Sequence, residues 1–184
     1  MKRNVRLTDG RILLRPYRRS DAELVYKAVR ESLPELLPWM PWAYPEYSIE
    51  DTRAWIDSSS KKWTKGEEYN FAILDARDGA FLGGCGFNKV DVKQGFANLG
   101  YWVRTTRTRQ GVALAAAQLL ARFGFEELKL RHIEVGAATG NKISQHVAEK
   151  LGAKRVGVMK NGLEIRDKIY DRVVFALHPQ DLEE

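Results

Sequence analysis

Arg107-Thr108-Arg109-Gln110-Gly111-Val112-Ala113-Leu114-Ala115-Ala116-Ala117 is the stretch around which the rest of this chain is organised. Just before it, Ala97-Asn98-Leu99-Gly100-Tyr101-Trp102-Val103 alternates large apolar residues with small or polar ones, the period-two signature of a strand. Just after it, Val112, Ala116, Leu119, Leu120 and Phe123 recur at helical spacing. A strand, a basic turn with one glycine, and a helix starting on small residues form the layout of an anion cradle. The first amide N–H groups of a helix have no partner within it, and the helix dipole adds partial positive charge beside them. Small side chains let a phosphate reach that backbone. An ordinary strand-to-helix turn with solvated arginines produces the same pattern, so the surrounding sequence has to decide.

The 184 residues are 44% apolar and 29% charged, enough to bury a proper core as a single domain over 1–184. No run approaches the roughly 18 apolar residues that a membrane span needs, so no membrane partner is expected. The basic start Met1-Lys2-Arg3-Asn4-Val5-Arg6 leads into no apolar signal core, and the lone Cys85 has no cysteine to pair with. Both features point to a reducing, cytoplasmic setting. The net charge of +6 favours anionic partners. There is no long basic run, no zinc-finger spacing and no aromatic-studded RNA-binding motif, so neither DNA nor a metal is expected. Residues 101–112 hold Arg104, Arg107 and Arg109 without one acidic residue, which places the excess at a phosphate site.

In chain order, Ile12–Tyr17 reads as a first strand with Pro16 near its end. Ser20-Asp21-Ala22-Glu23 has the form of a capping box opening a helix to about Ser32, with Leu24, Ala28 and Leu33 as core-facing residues. Four prolines in Leu33–Pro45 argue against regular structure there, yet Trp39, Trp42 and Tyr44 make the segment too apolar for an exposed linker. It is either a pinned loop or an aromatic wall of a substrate pocket. Ser48-Ile49-Glu50-Asp51 starts a second helix that Gly66 ends. Asn70–Leu74 and Phe81–Phe87 are strands joined at Asp78-Gly79, and three glycines inside the second predict a bulge or close backbone approach. Cys85 among them reads as a small packed thiol. Arg131–Ala137 is the strand after the opening helix, so strand, helix and strand predict a parallel pair with a right-handed crossover. Thr139–Ser144 opens a short helix to Leu151, closed by Gly152, with Ile143, Val147 and Leu151 on one face. Lys154–Met159, an Asn161-Gly162 turn and a strand near Tyr170–Leu177 complete the chain as a hairpin.

This order, together with Gly100-Tyr101-Trp102-Val103, Gln110-Gly111-Val112-Ala113-Leu114-Ala115, Asn141-Lys142-Ile143-Ser144, Lys150-Leu151-Gly152-Ala153 and the Pro-Trp-rich loop, resembles the GCN5-related N-acetyltransferases (GNATs). The likeness is to the RimJ/RimL branch of ribosomal-protein N-terminal acetyltransferases and runs from about Ile12 to Leu177. Ala113 stands where the family's cofactor motif has its central glycine, adding a methyl that a helix N-terminal turn tolerates. The resemblance implies an α+β (α/β) fold: a mixed, mostly antiparallel twisted sheet with a central βαβ crossover and flanking helices. It also implies acetyl-CoA as cosubstrate, bound where the strands ending at Val103 and Ala137 splay apart. Gln110, Gly111, Val112, Ala113, Leu114 and Ala115 would hold the pyrophosphate by backbone amides, and Arg109 would add charge. Trp102 and Val103 would track the pantetheine, with the Val103 amide polarising the thioester carbonyl. Asn141 would contact the pantetheine arm or simply cap its helix, and Ser144 would give the departing thiolate its proton. Glu164 is the family-based candidate for general base; Glu67, Glu68, His132 and Glu134 are others, and a water chain would also serve.

The expected activity is acetyl transfer to a primary amine in a ternary complex, on a protein N-terminal α-amine of ribosomal-protein type. Small amines such as antibiotics, polyamines or amino-acid derivatives are the alternative acceptors, and a non-catalytic nucleotide- or nucleic-acid-binding module is the third reading. Trp39, Trp42 and Tyr44 would line the acceptor side. The aromatic loop and edge strands also offer surfaces for a homodimer.

Overall fold

The computed structural model describes residues 4–182; Met1, Lys2 and Arg3 of the basic start lie outside the described residues. The strands are β1 (Leu7–Thr8), β2 (Ile12–Pro16), β3 (Tyr69–Asp75), β4 (Phe81–Asp91), β5 (Phe96–Val103), β6 (His132–Ala138), β7 (Lys154–Ile165) and β8 (Lys168–Leu177). The helices are α1 (Ala22–Leu36), α2 (Ile49–Lys65), α3 (Val112–Glu126) and α4 (Lys142–Lys150). The strands form one sheet in the order β1-β2-β3-β4-β5-β6-β8-β7. Every neighbouring pair is antiparallel except β5–β6, which α3 joins in parallel as the sequence predicts. This is the mixed α/β architecture expected of the resemblance.

The two sheet faces carry separate cores. On one, Val112, Ala116, Leu120 and Phe123 of α3 pack with Phe71, Ile73, Cys85, Phe87, Leu99, Ile133 and Val135. On the other, α1 and Ile56 of α2 cover Ala72, Leu74 and Phe81. Burial drives the Cys85 thiol far above its usual pKa, so it is an inert packing group. The start of α2 follows its sequence signal: Ser48 Oγ accepts from the Asp51 amide at 3.2 Å, and the Asp51 carboxylate accepts from the Ser48 amide at 2.8 Å. Gly66 closes the helix in the left-handed region at φ 75°.

Several local expectations fail for identifiable reasons. No capping box forms at Ser20–Glu23. Asp21 is 4% exposed, and its carboxylate instead takes the Arg18 amide at 2.7 Å and the Arg15 guanidinium at 2.7 and 2.8 Å. Helix α1 also runs past Ser32 through Pro34 to Leu36. Pro34 and Arg30, whose carbonyl loses its helical donor, both lie on the solvent side, where water replaces the missing bond. Leu24 is 52% exposed, and the core face is Val25, Ala28, Val29, Leu33 and Leu36. In α4 the buried residue is Ala148, while Ile143 is 80% exposed. The final hairpin does not turn at Asn161-Gly162. Its register closes at Ile165–Lys168 around Arg166-Asp167, and Asn161, at φ 53°, sits in an irregularity between Met159 and Leu163.

The glycine-rich strand β4 is bulged, with a register shift between Ile73 and Leu74. A Cβ at Gly83 would fall 2.2 Å from the Trp102 carbonyl oxygen and 2.9 Å from Val103 Cα, both backbone atoms of β5. Because rigid backbone cannot give way as a side chain would, Gly83→Ala should cost about 1–3 kcal/mol, read as a lowered urea midpoint at unchanged m-value.

Candidate active site

The β5–β6 ladder runs from Phe96–His132 to Leu99–Val135 and stops there, although β5 continues to Val103 and β6 to Ala138. The two strands therefore part above Leu99. Arg104 donates its amide to Leu82 of β4 at 2.8 Å. Successive residues of a strand turn their amides to opposite neighbours, so Tyr101 and Val103 present theirs to the gap.

Helix α3 begins at the mouth of this gap. Gly111 is its N-cap at φ 74°, no side chain caps it, and its first turn holds no acidic residue. Arg109 is also left-handed, at φ 59°, and Arg11 Nη2 fixes the turn by donating to the Gln110 carbonyl at 3.0 Å. Val112, Ala113 and Leu114 thus keep the unpartnered amides that suit a pyrophosphate. Ala115 does not contribute one: its amide bonds the Gly111 carbonyl at 3.0 Å, and its side chain is core. Ala113 sits in regular helical backbone, so its replacement of the motif glycine leaves the turn intact.

The opposite wall is α4. Asn141 Oδ1 caps the helix by accepting from the Ser144 amide at 3.1 Å, and this bond leaves the Asn141 Nδ2 donors outside the cap. Gln145 ties α4 to the end of β6 through the carbonyls of Ala138 (3.1 Å) and Thr139 (2.9 Å). Across the gap, Tyr101 donates its hydroxyl to the Ser144 carbonyl at 3.0 Å, which leaves its oxygen free to accept from Ser144 Oγ at 3.2 Å. Burial raises the Tyr101 pKa, an effect partly opposed by the Ser144 bond. Sequence alone gives Tyr101 no role. Strand parity alone puts it on the side of Leu99 and Val103, facing α4.

The candidate bases are otherwise engaged or apart. Glu68 pairs with Lys62 at 2.7 Å, Glu67 with Lys65 at 3.8 Å, and Glu134 with Arg172. The His132 ring lies among Phe96 and His178. Glu164 is exposed on β7 opposite Ile169 and makes no recorded hydrogen bond with Ser144 or Tyr101. Of the loop aromatics, Trp42 packs on Trp102 with ring centroids 5.9 Å apart, and Trp39 lies beside Gly140, 3.3 Å from where its Cβ would be. Tyr44 turns instead to Tyr47 at 5.8 Å and to Asp51, whose hydrogen bond lifts the Tyr44 pKa to about 12. The loop is thus pinned, by Trp42 to β5 and by Tyr44 to the start of α2.

Residues 11–154 match the acetyltransferase (GNAT) domain, and the chain belongs to that family. Its members use acetyl-CoA as cosubstrate and transfer the acyl group to an acceptor, so this chain is an acetyl-CoA-dependent N-acetyltransferase. It is 31% identical over 137 residues to YjcK of Bacillus subtilis, named a probable N-acetyltransferase, covering 73% of this chain and 76% of that one. The fold also matches RimL, the ribosomal L7/L12 alpha-N-protein acetyltransferase, in complex with coenzyme A, at TM-score 0.88 and 19% identity over 95% of this chain and 98% of that one. The microcin C7 self-immunity acetyltransferase MccE, in complex with acetyl-CoA and AMP, matches at TM-score 0.86 and 20% identity, over 94% and 98%.

An acid in the first turn of α3 complements the helix dipole but repels a pyrophosphate. Ala113→Asp should therefore keep or raise Tm while weakening coenzyme A binding about 100-fold or more by calorimetry.

Proposed function

We propose that this chain, acting as one catalytic domain, acetylates the N-terminal α-amine of a protein. The transfer step rests on the hydroxyl pair Tyr101–Ser144 set across the β5–β6 gap from the inward-facing Val103 amide, and the protein acceptor on the relatives. Two relatives add support: the RimL fold match and a 24% identity over 152 residues to the ribosomal-protein-serine acetyltransferase of Escherichia coli.

Acetyl-CoA supplies an acetyl group activated as a thioester. The amides of Val112, Ala113 and Leu114, with Arg109, would hold its pyrophosphate, while Trp102, Val103 and Asn141 would flank the pantetheine. The Val103 amide is aimed where negative charge builds on the acyl oxygen, a preorganised donor of the oxyanion-hole kind. Ser144 turns its O–H from the Tyr101 oxygen to the departing sulfur and hands over that proton, and the proton released by the attacking amine returns through water to Ser144. An α-amine, with a pKa of ~8, keeps a sizeable neutral fraction at physiological pH, so a water relay suffices to take its proton. The β7–β8 register sets Glu164 with Ile169, on the sheet face opposite Leu163, Tyr170 and Arg172. That placement favours the relay over a dedicated carboxylate.

Ser144→Ala should lower kcat by about 100-fold with the KM for acetyl-CoA within about threefold, measured as thiol release. Tyr101→Phe should show a smaller fall, and the double variant should be no worse than Ser144→Ala. A loss of cofactor affinity alone would make Ser144 a binding group. The acceptor is tested by the same assay across N-terminal peptides and small amines; a small amine as the best substrate overturns the protein reading.

A further inference from the structure

The sheet face turned away from α3 carries a row of glycines at the place where β5 and β6 part. Gly86 of β4 stands opposite Gly100 of β5, and Gly136 of β6 follows the last β5–β6 pair, Leu99–Val135. A Cβ at Gly86 would lie 2.4 Å from Asn70 Oδ1, and one at Gly136 would lie 2.1 Å from Arg172 Nε. A Cβ at Gly100 would meet nothing within 4 Å. Polar side chains therefore roof the two outer glycines and leave the middle one open, as a trough with polar walls.

One wall is Asn70, whose Nδ2 donates to Ser59 at 3.2 Å and to Glu68 at 3.0 Å. The other is Arg172, whose Nη2 donates to Asn98 Oδ1 at 2.9 Å and pairs with Glu134. Trp102, two residues beyond Gly100 on the same face, closes one end together with Trp42. Opposite this trough, through the gap, lie the Val103 amide and the Tyr101–Ser144 pair. An amine resting on Gly100 is thus on the far side of the gap from the cofactor groove.

The chemistry of the walls selects what comes with the amine. Both carboxylates, Glu68 and Glu134, are already matched by Lys62 and Arg172, so neither is a free anion for a second ammonium. The guanidinium, its side chain 14% exposed, is a forked donor whose Nη2 bonds Asn98 and faces the Glu134 carboxylate. A fixed cation beside the amine also disfavours its charged form, helping to keep it neutral.

We propose that Arg172 is a specificity-determining residue that binds the oxygen of the carbonyl adjacent to the reacting amine. The acceptor class is then an aminoacyl unit, such as a peptide N-terminus, and not a polyamine. The inference rests on the N-terminal transferase reading and names what that site recognises.

The test compares kcat/KM for a short peptide with a free N-terminus, a simple alkylamine and spermidine. Three enzymes are used: wild type, Glu134→Gln, and Arg172→Met/Glu134→Gln, the last designed so that no carboxylate is left buried without its partner. Wild type should favour the peptide. The double variant should cut the peptide-to-alkylamine ratio of kcat/KM at least about 10-fold relative to Glu134→Gln, mainly through peptide KM. Arg172→Lys, keeping charge without the fork, should restore part of it. If wild type favours the peptide but the ratio does not move, Arg172 is a structural ion-pair partner and the inference falls alone. If wild type favours spermidine or the alkylamine, the N-terminal reading falls and this one with it.

Discussion

A parallel strand pair that stops pairing halfway along is what the rest of this molecule depends on. β5 and β6 are held together as far as Leu99–Val135, on a floor of α3 side chains, and beyond that point their backbones are released. Unpaired backbone groups in a sheet are costly unless something else satisfies them. Here the release is stabilised from both sides. Gln145 secures the end of β6, β4 holds the outer edge of β5 through Arg104, and Tyr101 spans the opening to α4. In the proposed reaction the same opening would turn amides toward acetyl-CoA and admit the acceptor from the other face, with the Tyr101–Ser144 hydroxyl pair between them.

The glycines make this geometry affordable in space rather than in energy. At Gly83 the backbone of β5 comes too close for a Cβ, at Gly136 a guanidinium lies where one would be, and Gly100 leaves bare floor. Residues without side chains thus mark where other groups approach the sheet. That is why a glycine-rich strand, unremarkable by propensity, sits next to the chemistry.

The turn Arg107–Ala117, the strand before it and the parallel crossover after it were legible because they rest on local periodicity and on the backbone physics of a helix start. So was Ser48–Gly66, where cap and terminating glycine are adjacent in sequence. The misses share one cause, tertiary context overriding a local signal. Asp21 forms an ion pair with Arg15 instead of capping, Pro34 is tolerated because its helix face meets water, and Asn161-Gly162 yields the hairpin turn to Arg166-Asp167 because the β7–β8 register continues past it. In the site, Asn141 and Ser144 are named by the resemblance to the family. Tyr101 and Arg172 are not, because the roles proposed for them depend on which strands are neighbours and on which glycines they cover.

The contact between Trp42 and Trp102 joins a loop at the end of α1 to the strand that carries Val103. Trp102 is wedged further by Phe81, at 5.8 Å, and stands over Gly84, where even a methyl would press on its indole nitrogen. An indole so confined has little room to rotate, so a displacement of Trp42 would press on the β5 backbone. The loop and β5 are thereby packed as one unit over the glycine beneath Trp102.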